Sequence, residues 1–299
     1  MKSNINFHIH STYSDGTKTV PEIVKEIETL GIKWFAITDH DQVKGNIEAA
    51  ELAVKYGLNY TTGIELSCCF DGEAGLDETC VCHIVGLGID IAKMQIEILK
   101  IEEEKDRILH ELFCELVKDS YMLKYENVLT NDKIIERKSI SNELIRQGYA
   151  TNANDAFSNI LNTDKYRHFA KNIPTIKKGI EIIKQCGGVA VWAHPFGITR
   201  GGKKEITEEQ VLNLIEYMLE YGIEAIEVYY QLYDVQQIQF LEALATTHKL
   251  WKSIGTDYHG IDPLPCHSEA RRILFPKEIL FFEKEGIQVD ESIIAVFLS

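Results

Sequence analysis

The sequence predicts an α/β barrel interrupted by a mainly helical insertion. Three observations carry this. Short apolar segments alternate with amphipathic ones near both ends of the chain, and a charged, polar stretch without strand patterning separates them. The third is size: 299 residues with 45% hydrophobic content suffice for one large core, at a length where α/β barrels commonly stay a single domain.

In chain order, strand patterning begins at residues 5–9 and is followed by a helix opening near Pro21, where proline suits the first turn. Residues 34–37 read as a second strand and 45–56 as a helix. Strands follow at 59–66 and 81–87, with a gap rich in Gly, Asp and Glu that reads as an exposed hairpin. Residues 91–117 carry helical periodicity and many charges, while 120–172 is polar, punctuated by Asn and Gly, and without clear strands. We take 91–171 as the insertion, and 1–90 with 172–299 as the barrel. Alternation resumes with helices at 175–185, 207–221 and 234–248 and strands at 188–193, 223–228 and 251–255.

The formal charge of −15 argues against binding long duplex DNA, because such a surface repels a polyanion unless a local cationic site overcomes it. No basic segment leads into an apolar core near Met1, and no stretch is apolar enough to span a membrane. Seven cysteines, an odd number spread along the chain, fit reduced thiols and a cytoplasmic setting better than a disulfide framework.

Polar residues gather where the apolar segments end. In 5–9 the side chains alternate, so Ile5, Phe7 and Ile9 share one face while His8 and His10 share the other. Alone, such a pair reads as solvated or hydrogen-bonded, and Asp15 in Ser14-Asp15-Gly16 as an ordinary turn. The pattern then repeats. Ala36-Ile37-Thr38 runs into Asp39-His40; adjacent residues point apart, so His40 is assigned to metal and Asp39 to orienting a ligating imidazole from behind. Glu65 lies between Ile64 and Leu66, where a carboxylate is costly unless paired or metal-bound. His83 opens an apolar run, His194 follows 189–193, and Asp257 and His259 sit two apart after 251–255. Six of the ten histidines thus fall at strand ends, where barrel enzymes place their chemistry. Each has a bland structural explanation; their concurrence does not. Imidazoles with carboxylates, and no cysteine pair, suit Mn, Fe or Zn in a multinuclear centre.

These motifs resemble the PHP (polymerase and histidinol phosphatase) family of phosphoesterases, in particular its stand-alone members acting on nucleotides or short RNA. The likeness rests on His8-Ile9-His10 with Ser14-Asp15-Gly16, Thr38-Asp39-His40, Gly63-Ile64-Glu65, His83, Ala193-His194-Pro195 and Gly255-Thr256-Asp257-Tyr258-His259. It implies a distorted, TIM-like barrel of seven βα units and a site for three divalent ions. By motif, His8, His10, Glu65 and Asp257 would hold one ion, Asp15, His40 and His259 a second, and Glu65, His83 and His194 the third, with Glu65 as bridge. Three such ions outweigh the ligand carboxylates and leave a locally positive site for an anionic substrate. The implied reaction is in-line attack on phosphorus by a metal-bridging hydroxide, with His194, His259 or metal-bound water supplying the leaving-group proton.

Arg137 and Arg200 are the candidate phosphate contacts, since a guanidinium grips two phosphate oxygens. Segment 137–149 resembles a part of the nucleotide-acting branch in which histidine stands two places after the arginine; here that place is Ser139. Cys68, Cys69, Cys80 and Cys82 match no zinc-finger spacing and read as buried thiols. His110, His168, His248 and His267 lie outside the motifs. Expected substrates are nucleoside monophosphates, 3′,5′-bisphosphates or short RNA ends, with histidinol phosphate as the nearest rival. An amidohydrolase would not need Asp15, His40, Glu65 and His259 as well, and a non-catalytic module would not need a complete ligand set.

Overall fold

The computed structural model describes residues 4–76, 80–130, 134–170, 172–197, 199–200 (backbone only), 206–260, 290 and 292–294. In chain order the elements are β1 Ile5–Asn6, α1 Val20–Leu30, β2 Trp34–Phe35, α2 Gly45–Tyr56, β3 Asn59–Tyr60, β4 Gly63–Cys69, β5 Cys80–Leu87 and α3 Ile91–Lys118. There follow α4 Tyr125–Val128, α5 Arg137–Arg146, α6 Ala153–Ala156, α7 Ile176–Gln185, β6 Val189–Trp192, β7 Thr199–Arg200, α8 Glu208–Glu220, β8 Ala225–Tyr230, α9 Val235–His248 and β9 Trp251–Gly255. Among the described residues no helix is long and apolar enough to cross a membrane.

Helix boundaries follow local chemistry. Before α1, the Thr19 N–H donates to the Glu22 carboxylate (2.8 Å), Pro21 occupies the first turn, and Gly31 closes the helix in the left-handed conformation. Val20, Ile23, Val24 and Ile27 form its buried stripe. Asp234 and Thr207 cap α9 and α8 in the same manner, each with Gln three places on.

The strands form two sheets. Parallel β1-β2-β3 makes one; β4-β5-β6-β8-β9 makes the other, with β7 on β5. β4 and β6 are antiparallel to β5, whereas β6-β8-β9 is parallel. The sheets meet at two seams. At one, Phe7 N–H donates to the Ile254 carbonyl (3.0 Å) and His10 N–H to that of Tyr258 (2.8 Å). At the other, Glu65 N–H donates to the Asp39 carbonyl (3.2 Å) and Asp41 N–H to that of Glu65 (2.9 Å). The single strand expected over 59–66 is two, split at Thr61-Thr62 and paired in different sheets. The short β4–β5 connection dictates antiparallel pairing, which a helical crossover would not.

Two cores lie along α3. Met94 and Ile98 join the large core of Ile64, Leu66, Ile84, Trp192, Ile226 and their neighbours. Leu109, Leu112 and Leu116 join a separate cluster with Ile140, Leu144 and Leu161. One helix of 28 residues, about 42 Å long at 1.5 Å per residue, thus anchors in both. The insertion also satisfies its own buried charge: Glu143 accepts from Lys124 N–H (3.0 Å), Gln147 Nε2 (2.9 Å) and Arg146 Nε (2.7 Å).

Candidate metal centre

The strand ends deliver all nine predicted ligand residues to one place. Glu65, with no exposed surface, is its hub. Its Oε2 lies 3.1 Å from His8 Nε2, 3.0 Å from His10 Nε2 and 3.2 Å from His40 Nδ1. Its Oε1 lies 3.0 Å from both His83 Nδ1 and His194 Nε2. Asp257 Oδ1 approaches His10 Nε2 (3.1 Å) and His8 Nε2 (3.6 Å), and Asp15 Oδ1 approaches His259 Nε2 (3.3 Å).

Donor atoms converge in three groups suited to a cation: His8, His10, Glu65 and Asp257; His10, Asp15, His40 and His259; and His40, Glu65 and His83. The first matches the expected set. The second gains His10. In the third His40 joins Glu65 and His83, while His194 stands 3.4 Å from His83.

The donor chemistry fits divalent metal. His8 Nε2, both ring nitrogens of His10, His40 Nδ1 and Glu65 Oε2 are buried without a hydrogen-bond partner among the described residues, an arrangement that costs free energy unless something else binds there. Burial alone would keep the His10 ring neutral, yet the close carboxylates of Asp257 and Glu65 prevail and its pKa is raised to about 9. Burial, reinforced by His10 and His83, lowers that of His40 to about 3. Glu65 is held well below the carboxylate range because His8, His83 and His40 together outweigh its desolvation. The carboxylates therefore call for positive charge, which cations supply without requiring every imidazole to be protonated.

Surrounding residues brace these candidate ligands. Among the described residues Asp39 reaches no imidazole; it accepts from Ser11 N–H (2.7 Å), Ser11 Oγ (2.8 Å) and Ser14 Oγ (2.8 Å), bracing the loop that carries Asp15. Asn6 ties the sheet ends together through Thr256 Oγ1 (2.7 Å) and accepts from His8 N–H. Tyr230 OH donates to Asp257 Oδ2 (3.1 Å). Glu227, 2% exposed, lies 3.0 Å from His8 Nδ1 and accepts from His194 N–H (2.8 Å). Sequence reasoning missed it, although a glutamate inside Ala225-Ile226-Glu227-Val228 was a signal. Gly255 makes this approach possible: a Cβ there would lie 2.2 Å from Glu227 Oε1 and 2.3 Å from His8 Cβ. Asp41, His194 and Asp257 adopt positive φ of 49°, 27° and 52°, conformations that non-glycine residues keep only where their surroundings impose them.

The site has a closed floor and an open rim. His8, His10, Glu65, Asp257 and His259 are buried; side chains of Asp15, His40 and His83 reach 34%, 24% and 23% exposure. Of the expected leaving-group donors, His194 is 5% exposed and His259 fully enclosed. Arg137 is committed within the insertion, its Nη2 donating to the Leu161 carbonyl and Asn162 Oδ1 (each 2.9 Å), while Nε is buried without a hydrogen-bond partner among the described residues. The Arg200 side chain and His267 lie outside the described residues. Cys68, Cys69, Cys80 and Cys82 are buried, and burial raises the Cys68 and Cys82 thiol pKa values. His110 contacts Tyr125, the His168 ring lies tilted against Phe169, and His248 lies near Glu216.

The PHP domain model matches residues 6–228, which takes in seven of the nine clustered residues. The 5′-3′ exoribonuclease Rnm of Escherichia coli is 28% identical over 277 residues, 91% of this chain and 89% of that protein. The 3′,5′-nucleoside bisphosphate phosphatase of Chromobacterium violaceum is 25% identical over 263 residues, 86% and 88% of the respective chains. A solved Chromobacterium violaceum structure described as an amidohydrolase superposes with a TM-score of 0.60 at 24% identity, covering 93% of this chain and all of that one; this is a likeness of fold. With the domain match spanning most of its length, the chain belongs to the PHP family.

Proposed function

We propose that the protein hydrolyses a nucleotide phosphoester, that of a nucleoside monophosphate, a 3′,5′-bisphosphate or a short RNA end, at a centre of three divalent ions. As a PHP-family enzyme it is a metal-dependent phosphoester hydrolase. The observation that carries the finer reading is Glu65, whose two oxygens each face a different set of imidazoles at 3.0–3.2 Å, the geometry of a carboxylate shared between cations. Nucleotides are favoured over histidinol phosphate because the exoribonuclease and the bisphosphate phosphatase align along most of the chain.

His8, His10, Glu65 and Asp257 would hold one ion, His10, Asp15, His40 and His259 a second, and His40, Glu65 and His83 a third, with His194 beside it. When bound, the ions supply an acidified water as nucleophile and positive charge for the phosphoryl oxygens. The chain's residues do the rest. Asp15, His40 and His83 form the rim at which the phosphate arrives, and the buried floor excludes water. His194, less enclosed than His259, is assigned the leaving-group proton. Arg137 Nε and Arg200 are proposed phosphate contacts. We read the two seams as closure of a distorted (β/α)7 barrel, and 91–171 as a cap that selects the leaving group.

The test is reconstitution of metal-free protein with Mn, Fe or Zn, followed by phosphate release from AMP, a 3′,5′-bisphosphate, short RNA and histidinol phosphate. Metal-dependent turnover highest on a nucleotide substrate is expected. No turnover of any phosphoester by fully loaded protein would overturn the proposal, and preference for histidinol phosphate would overturn its substrate.

A further inference from the structure

Glu227 stands behind the centre, where it touches two ligand candidates from different parts of the chain. Its Oε1 lies 3.0 Å from His8 Nδ1 and its Oε2 accepts from the His194 backbone N–H at 2.8 Å. If His8 Nε2, which faces Glu65 and Asp257, binds a cation through its lone pair, the ring proton sits on Nδ1 and Glu227 Oε1 accepts it. The second contact holds His194 at φ 27°, a conformation its own side chain disfavours.

Local structure is arranged for this reach. The β8–β9 register slips between Glu227 and Tyr229, a bulge of the kind that re-aims a side chain. Across the ladder, Gly255 leaves the space that Oε1 occupies.

We propose that Glu227 is the positioning residue of the centre, one carboxylate setting both the ring of His8 and the backbone of His194. The inference rests on the metal-binding reading of these histidines. Neither amide orientation of Glu227→Gln reproduces both contacts, because both native partners are donors: with the oxygen on His8 the amide NH₂ meets the His194 N–H, and with the oxygen on His194 it meets the His8 Nδ1–H.

The experiment uses the full chain titrated with zinc, a diamagnetic ion. Affinity is read by competition with a chelating dye, the His8 ring by ¹⁵N-resolved NMR and the His194 amide by hydrogen exchange. Wild-type protein should show a His8 Nδ1–H tautomer and a protected His194 amide. Glu227→Gln should lower zinc affinity by about 10–100-fold, the range for removing an outer support of a ligand, with loss of at least one of those two signatures. Glu227→Asp keeps the charge with a shorter reach; it should fall between the two and carries the same test if Glu227→Gln fails to fold. Zinc affinity within threefold of wild type, with both signatures intact, overturns the inference. Wild-type protein that binds no divalent ion overturns the metal reading beneath it.

Discussion

Glu65→Gln is the most informative single perturbation. The side chain is nearly isosteric, so the cavity is preserved, but the charge is lost and an NH₂ replaces one oxygen. Glu65 Oε2 serves His8, His10 and His40, and Oε1 serves His83 and His194. Whichever way the amide turns, one group keeps a neutral oxygen and the other faces a donor, so the two metal positions proposed to share Glu65 should weaken together and unequally. Removing one partner from a buried charge network costs about 3–5 kcal/mol, which corresponds to roughly two to four decades in binding. Metal content after dialysis, dye competition and phosphate release would be measured on protein whose circular dichroism matches wild type. Unchanged metal content together with unchanged activity would refute the bridging role, and loss confined to one ion would show that Glu65 serves a single position.

Four further outcomes follow from the geometry. Gly255→Ala drives a methyl into Glu227 and His8, so we expect a loss of about 1–3 kcal/mol in urea unfolding, with reduced metal content; full stability would mean the strand yields more than its packing suggests. Leu112→Ala opens a cavity in the insertion core and should cost about 2–5 kcal/mol of local stability, seen as faster hydrogen exchange in α5 while metal content holds; metal loss would show that the two cores are not separable. Arg137→Ala should raise KM more than it lowers kcat, and an unchanged KM would confine this residue to its contacts with Leu161 and Asn162. Chelation should abolish turnover and lower the melting temperature, both restored by metal, because binding to the folded state adds to its stability; a melting temperature unmoved by chelation would contradict a centre this deeply buried.

Much of the centre was legible because its residues sit where apolar segments stop, and a polar group at a strand end needs a reason. His8 and His10 share a face by simple alternation, and Asp257 and His259 repeat the spacing. What strand logic could not supply was the third dimension. Glu227 is invisible as a partner of His8 until β8 bulges and β9 presents Gly255 opposite it. The orienting role given to Asp39 assumed an imidazole as its partner, whereas folding brings Ser11 and Ser14 to it. Likewise, nothing in the apolar run over 59–66 reveals that Tyr60 and Gly63 pair with different sheets, since that choice depends on partners distant in the chain.

The hydrogen bond from Asn6 to Thr256 spans 250 positions of sequence, whereas Ser67 and His83 face each other across a hairpin. Glu65 and His83 can therefore become neighbours as soon as that hairpin zips, while His8 must wait for nearly the whole chain before Asp257 arrives. Closing so long a loop is slow even when its entropy is modest. A growing polypeptide thus carries an incomplete set of imidazoles for most of its synthesis, and the segment just after β9, with Asp257 and His259, is the one whose arrival completes it.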